Sequence, residues 1–132
     1  MKLLIVDDTD FKVQLLNMQL SKLKVEYLVA TNFSDAQLLL KQYENEIFGV
    51  ILDLGFSRNF DRNTYSKFMG IELGAVINLR YPNMPILINS DTEIPKEMKE
   101  SIEFFDHIHP REENLSILQA FLECCKEYEE SK

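Results

Sequence analysis

Short apolar runs alternate along the chain with stretches whose apolar residues recur every three or four positions. Residues 3–6 form the first run, a predicted strand. Residues 10–23 follow with Phe11, Leu15, Leu16, Leu20 and Leu23 at helical spacing. Residues 27–30 make a second strand. Asn32 or Ser34 then caps a second helix that carries Ala36, Leu39, Leu40 and Tyr43 along one face. Residues 48–52 are a third strand. The third helix covers 70–80, with Ile71, Ala75, Val76 and Leu79 facing inward. A turn around Pro82 and Pro85 leads to a fourth strand at 86–88. A short fourth helix at 93–102, a fifth strand at 104–108 and a final helix at 113–129 complete the pattern. That last helix carries Leu115, Leu118, Phe121, Leu122, Cys125 and Tyr128.

The runs are apolar at consecutive positions, as in strands covered on both faces. Five strands alternating with five helices predict a single α/β domain over 1–132, a parallel sheet with helices on both sides. No linker or internal repeat interrupts it. One segment breaks the rhythm: residues 55–69, between the third strand and the third helix. A connection this long with no strand or helix of its own is uncommon and marks function or disorder.

Polar residues at the ends of the apolar runs carry the candidate chemistry. Asp7 and Asp8 close the first run, and Asp53 closes the third. Parallel sheets bind ligands beyond the carboxyl ends of their strands, where the strand order reverses. With the order 2-1-3-4-5 that point falls between strands one and three, the two that end in these aspartates. Carboxylates held side by side repel each other, and a divalent cation with hard oxygen ligands relieves the repulsion. The positions therefore predict an acidic Mg²⁺ pocket. Strand ends also favour Asp as a turn or capping residue, which explains one aspartate more readily than three.

Composition narrows the alternatives. The 132 residues suffice for one self-supporting core. A formal net charge of −8 argues against nucleic-acid binding through the general surface. Cys124 and Cys125 are adjacent and unsuited to bonding each other, which points to reduced thiols and a cytoplasmic protein. No stretch approaches a membrane span or an export signal. Glycine-rich phosphate loops, Cys/His metal spacings and hydrolase triads are absent from the sequence.

With these residues in place, the chain resembles a response-regulator receiver domain over nearly its whole length. The matching pieces are Leu4-Ile5-Val6-Asp7-Asp8, Asp53, Gly70-Ile71-Glu72-Leu73, Pro85-Ile86-Leu87-Ile88-Asn89-Ser90 and the final helix. The resemblance implies a CheY-like, flavodoxin-like three-layer sandwich. It implies a phosphate-accepting aspartate at Asp53, Mg²⁺ held by Asp8, Asp53 and the Gly55 carbonyl with Asp7 acting through water, and a phosphoryl-binding hydroxyl at Ser90. Asp53 then accepts a phosphoryl group from a histidine kinase, a phosphotransfer protein or a small phosphodonor. At most the chain would catalyse its own phosphorylation and dephosphorylation. A stand-alone member would signal by protein contact through the helix 4–strand 5–helix 5 face, residues 93–128.

Three features depart from the family pattern. The strand-five lysine that pairs with the phosphoryl group is replaced by His109, before Pro110, which carries charge only near or below a pKa of about 6.5. The strand-five aromatic falls on Asp106, with Phe104 and Phe105 nearby. Gly70 comes 17 residues after Asp53, much later than in most receivers. The intervening segment is net basic and aromatic and has three readings: Arg58, Arg62 or Lys67 reaches the pocket and replaces the lysine, the aromatics dock a partner, or the aromatics only cover the end of the sheet. Two other functions compete. A pseudo-receiver would bind partners without phosphorylation. A haloacid-dehalogenase-type phosphatase would use Asp8, Asp10 and Ser90 but leave Asp53 unexplained.

Overall fold

A computed structural model describes residues 2–90, 106–108 and 115–132. Its elements in chain order are β1 (Lys2–Val6), α1 (Asp10–Lys22), β2 (Glu26–Ala30), α2 (Phe33–Gln42) and β3 (Ile47–Leu52). After these come β4 (Phe56–Ser57), a 3-10 turn (Arg62–Thr64), β5 (Tyr65–Ser66), α3 (Met69–Arg80), β6 (Ile86–Asn89), β7 (Asp106–Ile108) and α4 (Leu115–Glu130).

The main sheet has the order β2-β1-β3-β6-β7 and is parallel throughout. This is the predicted 2-1-3-4-5 arrangement of a flavodoxin-like sandwich. Residues Leu3 to Val6 and all of β3 are buried, as strands covered on both faces must be. Asn32 proves to be the cap of α2, its side chain accepting from Asp35 N–H at 2.9 Å. Among the α4 residues whose burial is described, Leu118, Phe121, Leu122, Cys125 and Tyr128 are buried, as the periodicity predicts, while the side chain of the predicted Leu115 lies outside that description. The predicted helix at 93–102 and the first residues of the predicted fifth strand, Phe104 and Phe105, lie outside the described residues. Among the described residues no helix is long and apolar enough to cross a membrane.

The predicted face of α1 holds at Leu16 and Leu20, with Leu15 and Leu23 half-buried, and fails at Phe11, whereas the predicted face of α3 is rotated. In α1 the buried stripe is Lys12, Leu16 and Leu20, while Phe11 is 68% exposed. In α3 it is Met69, Gly70, Leu73, Gly74 and Ile77, while Leu79 is 82% exposed and Ala75 points to solvent. Close packing sets the rotation of α3. A Cβ on Gly70 would collide with the Asp53 carbonyl oxygen and stand 3.0 Å from Leu54 Cα, so only glycine lets α3 press against this backbone. Gly70 N–H donates to the Leu54 carbonyl at 2.8 Å, which locks the approach.

The segment after Asp53 is not the structureless loop expected from its length. β4 and β5 pair antiparallel, with Phe56 opposite Ser66 and Ser57 opposite Tyr65. Thr64 Oγ1 closes the turn between them, accepting from Arg58 N–H at 3.1 Å and donating to the Asp61 carbonyl at 2.5 Å. The Arg58 carbonyl accepts from both Ser34 N–H and Ser34 Oγ, which ties the hairpin to the start of α2. Phe56 is fully buried and Phe60 is 85% exposed, so one of the segment's aromatics covers the sheet and another does not.

Candidate functional site

β1 and β3 run side by side, with Val6 opposite Leu52, so the residues that follow them leave the sheet at one edge. The ladder continues one step further, with Asp53 N–H donating to the Val6 carbonyl at 2.9 Å. Asp7, Asp8 and Asp53 therefore converge, and one carboxylate oxygen from each lies within 4.8 Å of the other two. The predicted acidic cluster exists, and its place in the sheet creates it.

A cation that the sequence reading overlooked stands in the middle of the cluster. Lys12, on the first turn of α1, is only 7% exposed. Its Nζ lies 2.9 Å from Asp53 Oδ1 and 3.2 Å from Asp7 Oδ2. A signal was present: Lys12 is one helical turn before Leu16 and two before Leu20, at the pocket end of the buried stripe. Phe11 obscured it, because an apolar residue next door offered an equally periodic phase.

Hydrogen bonds assign different tasks to the carboxylate oxygens. Asp7 Oδ1 accepts from Thr9 N–H at 2.8 Å and Asp7 Oδ2 faces Lys12, so both its oxygens are engaged. Asp53 Oδ1 receives Leu54 N–H at 2.8 Å as well as Lys12. Asp53 Oδ2 has no hydrogen-bond partner among the described residues. Asp8 is the most open of the three, and the Arg62 guanidinium stands 3.7 Å from its Oδ2.

Burial raises the pKa of Asp53 above the ordinary carboxylate value, and Lys12 opposes the rise without cancelling it. Asp7 is likewise raised, first by burial and then by Asp53. Burial works against the Lys12 ammonium, but Asp53 and Asp7 outweigh it and its pKa rises too. A buried and a half-buried carboxylate sharing one ammonium remain short of positive charge. Hard oxygen donors with a charge deficit suit a divalent cation, so the donor set fits Mg²⁺.

Beside Asp8 a cleft of about 180 Å³ is walled by Thr31, Asn32, Ser57, Asn59, Phe60 and Arg62. Arg58 is committed elsewhere, paired with Glu72 and stacked over the Phe33 ring at 4.8 Å. Lys67 lies over the Phe68 ring at 5.4 Å. Of the three basic residues proposed from the sequence, Arg62 alone approaches a pocket aspartate.

Solved structures with the same chain path decide the fold. A response regulator receiver domain protein from Clostridium thermocellum superimposes with a TM-score of 0.77 at 16% identity, covering 99% of this chain and 98% of that one. The signal receiver domain of an HD domain-containing protein from Pseudomonas fluorescens Pf-5 gives 0.76 at 21% identity, with 99% and 98% covered. The fold is that of a response-regulator receiver domain. The BeF3-activated N-terminal receiver domain of RstA from Klebsiella pneumoniae gives 0.74 at 16% identity over 96% of this chain and 99% of that one. No family model and no curated protein matches the sequence, so the likeness is carried by three-dimensional structure.

Against the receiver fold, the remaining sequence-predicted residues fall as follows. Gly55 lies two residues beyond Asp53, packed so closely that an added Cβ would collide with the Tyr65 hydroxyl. Ser90 is 2% exposed and directly follows β6, whose Ile88 pairs with Leu52 of β3. Its predecessor Asn89 is buried too, with an Oδ1 that finds no partner among the described residues. His109 lies outside the described residues. Asp10, the further aspartate a dehalogenase-type site would need, is exposed at the start of α1 and is not part of the cluster.

Proposed function

We propose that this chain is a receiver that accepts a phosphoryl group on Asp53 in two-component signalling. The observation that carries this reading is the state of the Asp53 carboxylate. Oδ1 is pinned by Leu54 N–H and Lys12, while Oδ2 has no partner among the described residues, within an acidic cluster. A carboxylate held by one oxygen presents the other as a nucleophile.

In the transfer step Asp53 Oδ2 forms a bond to phosphorus as the donor's bond to phosphorus breaks. The leaving group, a histidine imidazole or the carboxylate of an acyl phosphate, departs with the electron pair. Asp8, Asp53 and the Gly55 carbonyl are the groups that would hold Mg²⁺, which when bound offsets the charge of the incoming anion. Asp7, with both oxygens engaged, serves that ion through water and steadies Lys12. Ser90 is the hydroxyl suited to a phosphoryl oxygen. The donor class is a histidine kinase, a phosphotransfer protein or a small acyl phosphate, and the output is contact with a partner protein.

Incubation with acetyl phosphate and Mg²⁺, followed by intact-mass measurement, tests the reading. One added phosphoryl group, lost in Asp53→Asn, is the expected result. No mass change in the wild-type protein overturns it. One observation favours a second reading, a binding module that works unphosphorylated: Lys12 already compensates part of the pocket's charge without a metal.

A further inference from the structure

The pocket holds a buried ammonium from an unexpected element, and the charge it meets changes when a phosphoryl group arrives. Lys12 touches two carboxylates and is almost wholly shielded from water. A buried ion pair is weak grounds for stability by itself, since desolvation offsets most of the Coulombic gain. The other cations near the pocket are placed differently. Arg58 is bound to Glu72 and Phe33, Lys67 lies over Phe68, and Arg62 reaches only Asp8 from a side chain that is 83% exposed. Among the described residues, Lys12 is the one cation within hydrogen-bond distance of Asp53.

We propose that Lys12 is the phosphoryl-binding cation of this pocket, supplied from α1. The proposal rests on the acceptor reading of Asp53. Before transfer the ammonium holds Asp53 Oδ1 and so orients Oδ2 toward the donor. When the new oxygen–phosphorus bond has formed, the charge on Oδ1 is gone and two anionic oxygens stand on phosphorus. Lys12 then swings from Oδ1 to one of these oxygens, with Asp7 Oδ2 keeping its other hydrogen bond. No proton moves. The ammonium stays charged throughout because Asp7 remains beside it at 3.2 Å. A point charge with three rotatable donors suits this exchange better than a guanidinium fork, which fixes its geometry.

The test compares wild type, Lys12→Met and Lys12→Arg by calorimetric titration, with Mg²⁺ alone and then with beryllofluoride in saturating Mg²⁺. Lys12→Met is expected to lose about a hundredfold in beryllofluoride affinity, the scale set by removing one preorganised donor to a transferring oxyanion. Its affinity for Mg²⁺ alone is expected to hold or rise, because a competing cation has been removed. Lys12→Arg is expected to recover part of the beryllofluoride loss. A merely structural lysine would weaken both ligands together, and that outcome overturns the proposal. Beryllofluoride binding at wild-type strength in Lys12→Met also overturns it while leaving the acceptor reading of Asp53 intact. A wild-type protein that binds Mg²⁺ but neither beryllofluoride nor a phosphoryl group removes both. Should Lys12→Met not fold, nitrogen-15 NMR of the wild-type Lys12 ammonium decides. Its resonance is expected to shift on beryllofluoride addition, and a resonance that does not move overturns the assignment.

Discussion

Lys12 Nζ stands 2.9 Å from Asp53 Oδ1, joining the first turn of α1 to the end of β3. The contact gives the acidic edge of the sheet an internal counter-ion and makes the stability of the fold depend on that edge. Removing one partner of a buried ion pair leaves the other charge uncompensated and typically costs about 3 kcal/mol or more. Lys12→Met is therefore expected to lower the free energy of unfolding by about that amount near neutral pH. Mg²⁺ is expected to restore more of it in the variant than it adds to wild type, since bound metal stabilises by mass action. Urea denaturation with and without Mg²⁺ measures both. An equal Mg²⁺ increment in the two proteins would contradict the view that Lys12 and the metal answer the same charge deficit.

Gly70 meets the backbone of Asp53 so closely that an added methyl group has no space. Gly70→Ala is expected to push α3 away from the acceptor and destabilise the protein by about 1–3 kcal/mol, the usual cost of overpacking. Because the clash falls on the carbonyl of the acceptor itself, Mg²⁺ affinity should fall as well. Calorimetric Mg²⁺ titration of the folded variant checks this, and unchanged affinity would show that the pocket yields without strain.

Gly49 gives a comparison far from the pocket. A Cβ there would collide with Cys125 Sγ and stand 3.1 Å from both Leu3 Cδ2 and Phe121 Cζ. Gly49→Ala should cost about 1–3 kcal/mol. The double variant Gly49→Ala/Cys125→Ala should recover part of that loss, because the sulfur is the nearest obstacle. Thermal unfolding of Gly49→Ala, Cys125→Ala and the double variant reads the coupling, and strict additivity would mean that α4 moves away as a body instead.

Burial pushes the Cys125 thiol up to about 12 from an ordinary value of 9.0. A group whose pKa is raised by folding contributes stability that is complete below the unfolded value and lost as pH rises toward the folded one. Stability should accordingly decline between pH 9.0 and about 12 through this thiol. Below that window, native protein should be alkylated rapidly at exposed Cys124 and slowly at Cys125. Mass-resolved labelling with and without denaturant distinguishes the two sites, and equal native rates would place Cys125 at the surface.

Thr64 closes the hairpin turn through bonds to Arg58, Asn59 and Asp61. Thr64→Val should free amides 58–64 to exchange faster with deuterium while changing global stability by about 1 kcal/mol or less, since the turn is exposed. Exchange that accelerates throughout the main sheet would show that the hairpin is part of the core's cooperative unit.

The sequence alone determined the strands of the main sheet and their order, the four helices among the described residues and the three aspartates, but not the β4–β5 hairpin. Strands buried on both faces must be apolar at consecutive positions, so Leu3 to Val6 and Val50 to Leu52 mark themselves, and the residues that end them are next to the chemistry by covalent bonding. The rotation of α3, the inward residue at the start of α1 and the source of the pocket's cation were decided only by tertiary structure. Helical periodicity gives the spacing of a buried stripe, but its phase depends on what the helix meets. At the start of α1, Phe11 and Lys12 competed for the inward position on a stripe that Leu16 and Leu20 continue, and local hydrophobicity favoured Phe11. Two carboxylates brought together from β1 and β3, about 46 residues apart in the chain, made the lysine the better residue to bury. In the same way Gly70 set the phase of α3 through a contact with Asp53 that no pattern within the helix encodes.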